Sequence, residues 1–104
     1  MIHSISWRWH VASAIALGAL VLACDEPPGR LLASNCAQCH GTDGRSQGGI
    51  DGLAGLSFSE IYDELRDMKA NPDTGNIMHR QASGYSDEQM RLIATYFSQQ
   101  RSNP

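Results

Sequence analysis

Cys36-Ala37-Gln38-Cys39-His40 is the stretch whose reading decides how this chain folds. Cys-x-x-Cys-His is the spacing at which a c-type haem is attached. On one helical turn, two thiols three positions apart can each add across a vinyl group of the same porphyrin. The next residue then offers an imidazole to the iron from beneath the ring, and histidine is a proximal ligand that haem iron takes. The motif occurs once, which predicts one covalently bound haem c. Cys36 and Cys39 are the attachment points and His40 the proximal iron ligand. Other uses of the cysteine pair lack their context. A thioredoxin-like redox pair needs a βαβ unit, and a four-ligand zinc site needs more Cys or His than lie near Cys36 and Cys39.

Working outward, residues 1–23 read as an export signal. A weakly basic start at Arg8 precedes thirteen uncharged residues, Val11 to Ala23. That run is shorter than the roughly 20 apolar residues of a bilayer span but suits a signal h-region ending in a small residue. Val21-Leu22-Ala23-Cys24 also resembles a bacterial lipobox, which makes Cys24 a lipidation candidate and the segment a lipoprotein signal. The alternative is ordinary cleavage after Ala23, leaving Cys24 as a free thiol. Under either reading the mature protein is periplasmic, and an acylated Cys24 anchors it. Asp25 directly after the cysteine then favours the inner membrane by the sorting habit of that family.

The 81 residues from Cys24 onward carry seven Lys/Arg against eleven Asp/Glu, a formal charge of −4. Phosphate binding needs a basic patch, so nucleic acid is excluded as the natural partner. A domain this small buries a modest core and often leans on a cofactor. A haem supplies a large apolar disc around which short helices pack.

Residues 24–29, with Pro27 and Pro28, form a short tether, and residues 30–104 the haem domain. A first helix is expected near Gly29, running through Arg30 to Ala33 into the haem motif. Six glycines between Gly41 and Gly55 predict a loop. Ser57-Phe58-Ser59-Glu60 is a capping box. Phe58, Ile61, Tyr62, Leu65 and Met68 follow at helical spacing, which predicts a middle helix over 58–70. Asn71 to Gly75 ends it, and the stretch to Gly84 is expected to be loop. Ser86-Asp87-Glu88-Gln89 opens a last helix, whose stripe of Met90, Ile93, Ala94 and Phe97 is widened by Leu92 and Tyr96. Sustained period-two alternation is missing. The prediction is all-α: three main helices and glycine-rich loops around one haem.

The sixth iron ligand decides the chemistry. An electron carrier fills both axial positions with protein groups, so that the iron changes oxidation state without exchanging ligands. A thioether there raises the potential. Met68 and Met90 fall on apolar helix stripes and read as core. Met78, 38 residues after His40 and freed from helical geometry in the second loop, is the distal candidate. His79, adjacent to it, is the rival and would lower the potential. An open position, as in a haem sensor or peroxidase, is the third reading. The free ring nitrogen of His40 needs an acceptor, sought among the carbonyls of Ile50 to Leu53. Arg45 and Arg80 are candidate propionate partners. Tyr62, Tyr85 and Tyr96 are candidates for donating to a propionate or lining the pocket.

Asn35-Cys36-Ala37-Gln38-Cys39-His40-Gly41-Thr42-Asp43-Gly44 with Leu53-Ala54-Gly55-Leu56 resembles class I cytochrome c domains of the c4/c553 kind. Ile77-Met78-His79-Arg80 and Gly84-Tyr85-Ser86-Asp87-Glu88 narrow the resemblance to the cytochrome subunits of flavocytochrome c sulfide dehydrogenases. In that family the Ile-Met-x-Arg methionine is the distal ligand, which implies that role for Met78. Where related domains carry a proline whose carbonyl receives the proximal histidine's N–H, this chain has Asp51. The resemblance implies a class I fold and a periplasmic, non-enzymatic electron carrier whose partner is a sulfide-oxidising flavoprotein subunit. A free-standing c4/c553-like shuttle to a terminal oxidase or another respiratory complex is the alternative.

Overall fold

The computed structural model describes residues 25–72 and 74–102. The expected signal segment and the lipidation candidate Cys24 lie outside the described residues. Among the described residues there are five α-helices: α1 (Arg30–Ser34), α2 (Ala37–His40), α3 (Phe58–Ala70), α4 (Ile77–Ser83) and α5 (Asp87–Ser98), with a 3₁₀ turn at Thr42–Gly44. No strand is found among the described residues, so the all-α class holds.

The two long helices begin where their sequences say. Ser57 Oγ accepts from the Glu60 N–H at 3.1 Å, while Glu60 accepts from the Ser57 N–H at 2.7 Å. That N–H and the Ser57 hydroxyl hold the Glu60 carboxyl below its ordinary range. Ser86 and Gln89 repeat the reciprocal pair at the start of α5. Each pair satisfies two of the N–H groups that a helix start leaves without partners.

The α3 and α5 stripes face each other and α4 packs on α3. Ile61 and Leu65 of α3 meet Met90, Ile93, Ala94 and Phe97 of α5, with Ala33 and Ala82 closing the cluster. Phe97 and Ile93 are 1% exposed, which makes α5 the central element. Leu92, by contrast, is half-buried. Its carbonyl receives α1, because a Cβ built on Gly29 would lie 2.3 Å from Leu92 O. Gly29 also has φ +85°, so only glycine allows this approach without displacing a helix. Gly44 plays the same part beneath the haem motif, where a Cβ would strike the Phe97 ring at 2.8 Å.

Three expectations are corrected. The first helix is two helices, broken at Asn35 and resumed so that Cys36 caps α2. The glycine-rich stretch holds the 3₁₀ turn. The segment expected to be loop up to Gly84 contains α4, so Met78 sits in a first helical turn and not on free backbone. Helix α4 escaped the periodicity because it buries Ala82 alone and leaves Ile77 62% exposed.

Polar contacts bind the long helices together. The Tyr62 hydroxyl donates to Asp87 Oδ1 at 2.5 Å, Arg91 Nε donates to Asp87 Oδ2 at 2.9 Å, and the Arg91 guanidinium lies 4.6 Å from the Tyr62 ring centre. Tyr62 thus serves the α3–α5 seam and not a propionate. The Tyr62 hydroxyl first, and Arg91 second, hold the Asp87 carboxyl below its ordinary range. A depressed folded-state pKa contributes stability that is present above the unfolded carboxylate value of about 4 and is lost as pH falls through the folded value. Asp87→Asn is expected to lower the guanidinium midpoint near neutrality and to blunt the further loss seen on acidification. Superimposable midpoint–pH curves for variant and wild type would refute this.

Candidate haem site

The break at Asn35 sets the geometry of the motif. Cys36 has helical backbone angles, and its carbonyl accepts from the His40 N–H at 2.9 Å. One turn therefore presents Cys36, Cys39 and His40 together. Neither cysteine is in a disulfide. Burial, with a contribution from Cys39, pushes the Cys36 thiol above its usual value. Cys39 is exposed.

His40 lines a cleft of about 420 Å³ whose walls include Cys36, Leu53, Leu56, Ile61, Leu65, Met78 and Ile93. Its Nδ1 lies 2.6 Å from Asp51 O. A carbonyl can only accept, so Nδ1 carries the proton and Nε2 keeps the lone pair, the tautomer a metal-binding imidazole needs. The proline-to-aspartate departure is harmless to this contact because any residue supplies a backbone carbonyl. The acceptor falls inside the Ile50–Leu53 stretch expected to hold it.

A smaller cavity of about 60 Å³ adjoins the cleft and shares Cys36, His40, Leu65, Met78 and Ile93 with it. Cys39, Asn35, Ile77, Gln81 and Tyr85 complete its lining. Met78 lines both cavities and His79 lines neither. Met68, read from sequence as core, is half-buried and borders the larger cavity only. Met90 is fully in the core.

Other sequence candidates are placed elsewhere. Arg45 pairs with Asp43 at 3.6 Å and donates from Nε to Arg101 O at 3.0 Å. Arg80 is exposed and borders a separate surface hollow with Gln81, Gly84 and Tyr85. Neither arginine lines the cleft. The Tyr96 hydroxyl donates to Asp43 at 2.5 Å, holding the residue at φ +54°. Burial first, then this bond, pushes the Tyr96 hydroxyl up. Of the three tyrosines, Tyr85 alone borders the haem cavities.

Sequence reasoning missed the polar frame around Met78. Asn76 Oδ1 accepts from the Met78 N–H at 2.8 Å, and His79 Nδ1 lies 2.6 Å from Asn71 O. The signal was present: asparagine is a favoured helix cap, and Asn76 stands directly before Ile77.

These residues fit a covalently held porphyrin. Two thiols share a helical turn, an imidazole has its lone pair available at Nε2, and aliphatic side chains line an open cleft with a thioether on its wall. Such a site on an all-α scaffold defines a small c-type haem domain. The model of the cytochrome c family matches residues 28–101, and the chain belongs to that family. It is 43% identical over 69% of its length to the cytochrome subunit of sulfide dehydrogenase of Chlorobaculum tepidum, and spans 66% of that protein, just under two thirds. It is 33% identical to cytochrome c-553 of Helicobacter pylori, with 64% of this chain and 72% of that one covered. Cytochrome c-553 of Nitratidesulfovibrio vulgaris is 30% identical, with 85% and 89% covered. The family and the Cys-x-x-Cys-His spacing assign the chain one covalently bound haem c.

Proposed function

We propose that this chain is an exported cytochrome that accepts electrons from a sulfide-oxidising flavoprotein subunit and passes them on singly. Bound haem supplies an iron that alternates between the ferric and ferrous states. Cys36 and Cys39 would hold the group through thioether bonds, and His40 Nε2 would ligate its iron. The Asp51 carbonyl keeps the His40 proton on Nδ1, which fixes the ring plane and strengthens Nε2 as a donor. Met78, on the wall of both cavities, would supply its Sδ as the second protein ligand. Leu53, Leu56, Ile61, Leu65 and Ile93 keep water from the ring faces.

The observation that carries the site assignment is that Cys36, His40 and Met78 border the same two joined cavities. The likeness to the Chlorobaculum subunit supports the flavoprotein partner. The basic start, short apolar run and Cys24 support export and membrane anchoring in the periplasm. The c-553 relatives favour a second reading, a free-standing shuttle, since the chain covers 89% of one of them.

The test is copurification and reconstitution. A flavoprotein is expected to be retained with the native chain, and mixing the two with sulfide should reduce the haem far faster than sulfide alone. A chain that elutes by itself and gains nothing from the flavoprotein belongs to the shuttle reading. Mass spectrometry of the exported protein reads both haem and lipid mass, and a Cys24 without acyl chains removes the anchor.

A further inference from the structure

Helix α4 is short, and its first turn carries the residue assigned above as distal ligand. What holds that turn is polar. Helix α3 ends at Asn71, whose N–H donates to Met68 O at 3.2 Å and whose side-chain amide donates to Asp67 O at 2.9 Å. The Asn71 carbonyl is therefore anchored to a long, packed helix. It accepts from His79 Nδ1 at 2.6 Å. On the other side of Met78, Asn76 Oδ1 takes the Met78 N–H at 2.8 Å, and the Asn76 carbonyl takes the His79 N–H at 3.1 Å.

We propose that His79 and Asn76 are positioning residues that clamp Met78 against the haem cleft, with the His79–Asn71 bond tying the ligand's helical turn to α3. The inference rests on the assignment of Met78 as distal ligand. Burial supplies little of this restraint, since α4 packs on α3 with Ala82 as its one buried residue and Ile77 largely exposed. The neighbouring imidazole borders neither cavity, which separates it from Met78. The same device serves both sides of the site, since His40 and His79 each direct Nδ1 to a backbone carbonyl at 2.6 Å.

A ligand held by a clamp leaves the iron rarely, so added imidazole enters the oxidised holoprotein slowly. His79→Leu keeps side-chain volume and removes the donor, and it is expected to speed imidazole entry roughly five- to tenfold. The far-red band of methionine-ligated ferric haem should weaken with it. His79→Asn retains an N–H at the δ position and is expected to restore entry to within about twofold of wild type. Asn76→Ala should move the rate in the same direction as His79→Leu. Ser86→Ala, which weakens the distant α5 cap, serves as the stability control: it should lower the guanidinium midpoint and leave imidazole entry unchanged. Equal entry rates in wild type, His79→Leu and Asn76→Ala overturn the clamp, as does a Ser86→Ala rate that rises as much as theirs. Met78→Ala is run alongside. If it leaves the band intact, the distal assignment itself fails; if it abolishes the band while His79→Leu changes nothing, the clamp alone fails.

Discussion

Exported protein in which Cys36 and Cys39 are both replaced by serine is expected to keep no haem through denaturation. Wild-type colour should stay with the polypeptide after acid–acetone extraction, while the double variant's should pass entirely into the solvent. The effect extends beyond the cofactor. Leu53, Leu56, Ile61, Leu65 and Ile93 border the cleft, and the helices α1 and α2 around the motif are only five and four residues long. Helices so short are marginal in water without tertiary partners. A ring that can dissociate leaves that aliphatic wall open to water and the motif helices without their main contact. The variant should therefore lose much of the roughly 5 kcal/mol or more that a folded domain has, read as reduced helical ellipticity and a lower guanidinium midpoint. Colour surviving extraction in the double variant would show that the attachment points lie elsewhere.

Met78→Ala is expected to give the second large effect. Removing the thioether opens the sixth position, so the reduced variant should bind carbon monoxide that wild type excludes. The far-red band of the oxidised form should vanish. The midpoint potential should fall, on the order of 0.1 V out of the roughly 0.8 V that axial ligands span, because a thioether favours ferrous iron. Met68→Leu is the matched control. Met68 borders the larger cavity but lies on the α3 stripe, so its replacement should leave band and carbon monoxide exclusion as they are. If Met68→Leu abolishes the band and Met78→Ala does not, the distal role belongs to α3.

How far the sequence could be read depended on what each element had to bury. Helix α3 was legible to the residue, since its capping box, apolar face and Asn71 stop are local features that agree with one another. The start of α5 was legible for the same reason. Helix α4 was not, because its length is set by the Asn76 cap and its packing on α3, and one buried alanine leaves no periodic signal. The tyrosines show the same limit. Their sequence positions allow pocket or core, and only the fold sends Tyr62 to Asp87, Tyr96 to Asp43 and Tyr85 to the smaller cavity beside the cleft.

By itself the amino-acid order determined the Cys-x-x-Cys-His spacing, the helical class and the acidic charge. These follow from bonds and spacings within a few residues. Tertiary structure decided which side chains meet across the chain. It brought the Asp51 carbonyl to His40, turned His79 away from the cleft toward Asn71, and took Arg45 and Arg80 out of the haem site. Such pairings join residues up to 56 positions apart, and no local rule of spacing encodes a contact that exists only once helices have packed.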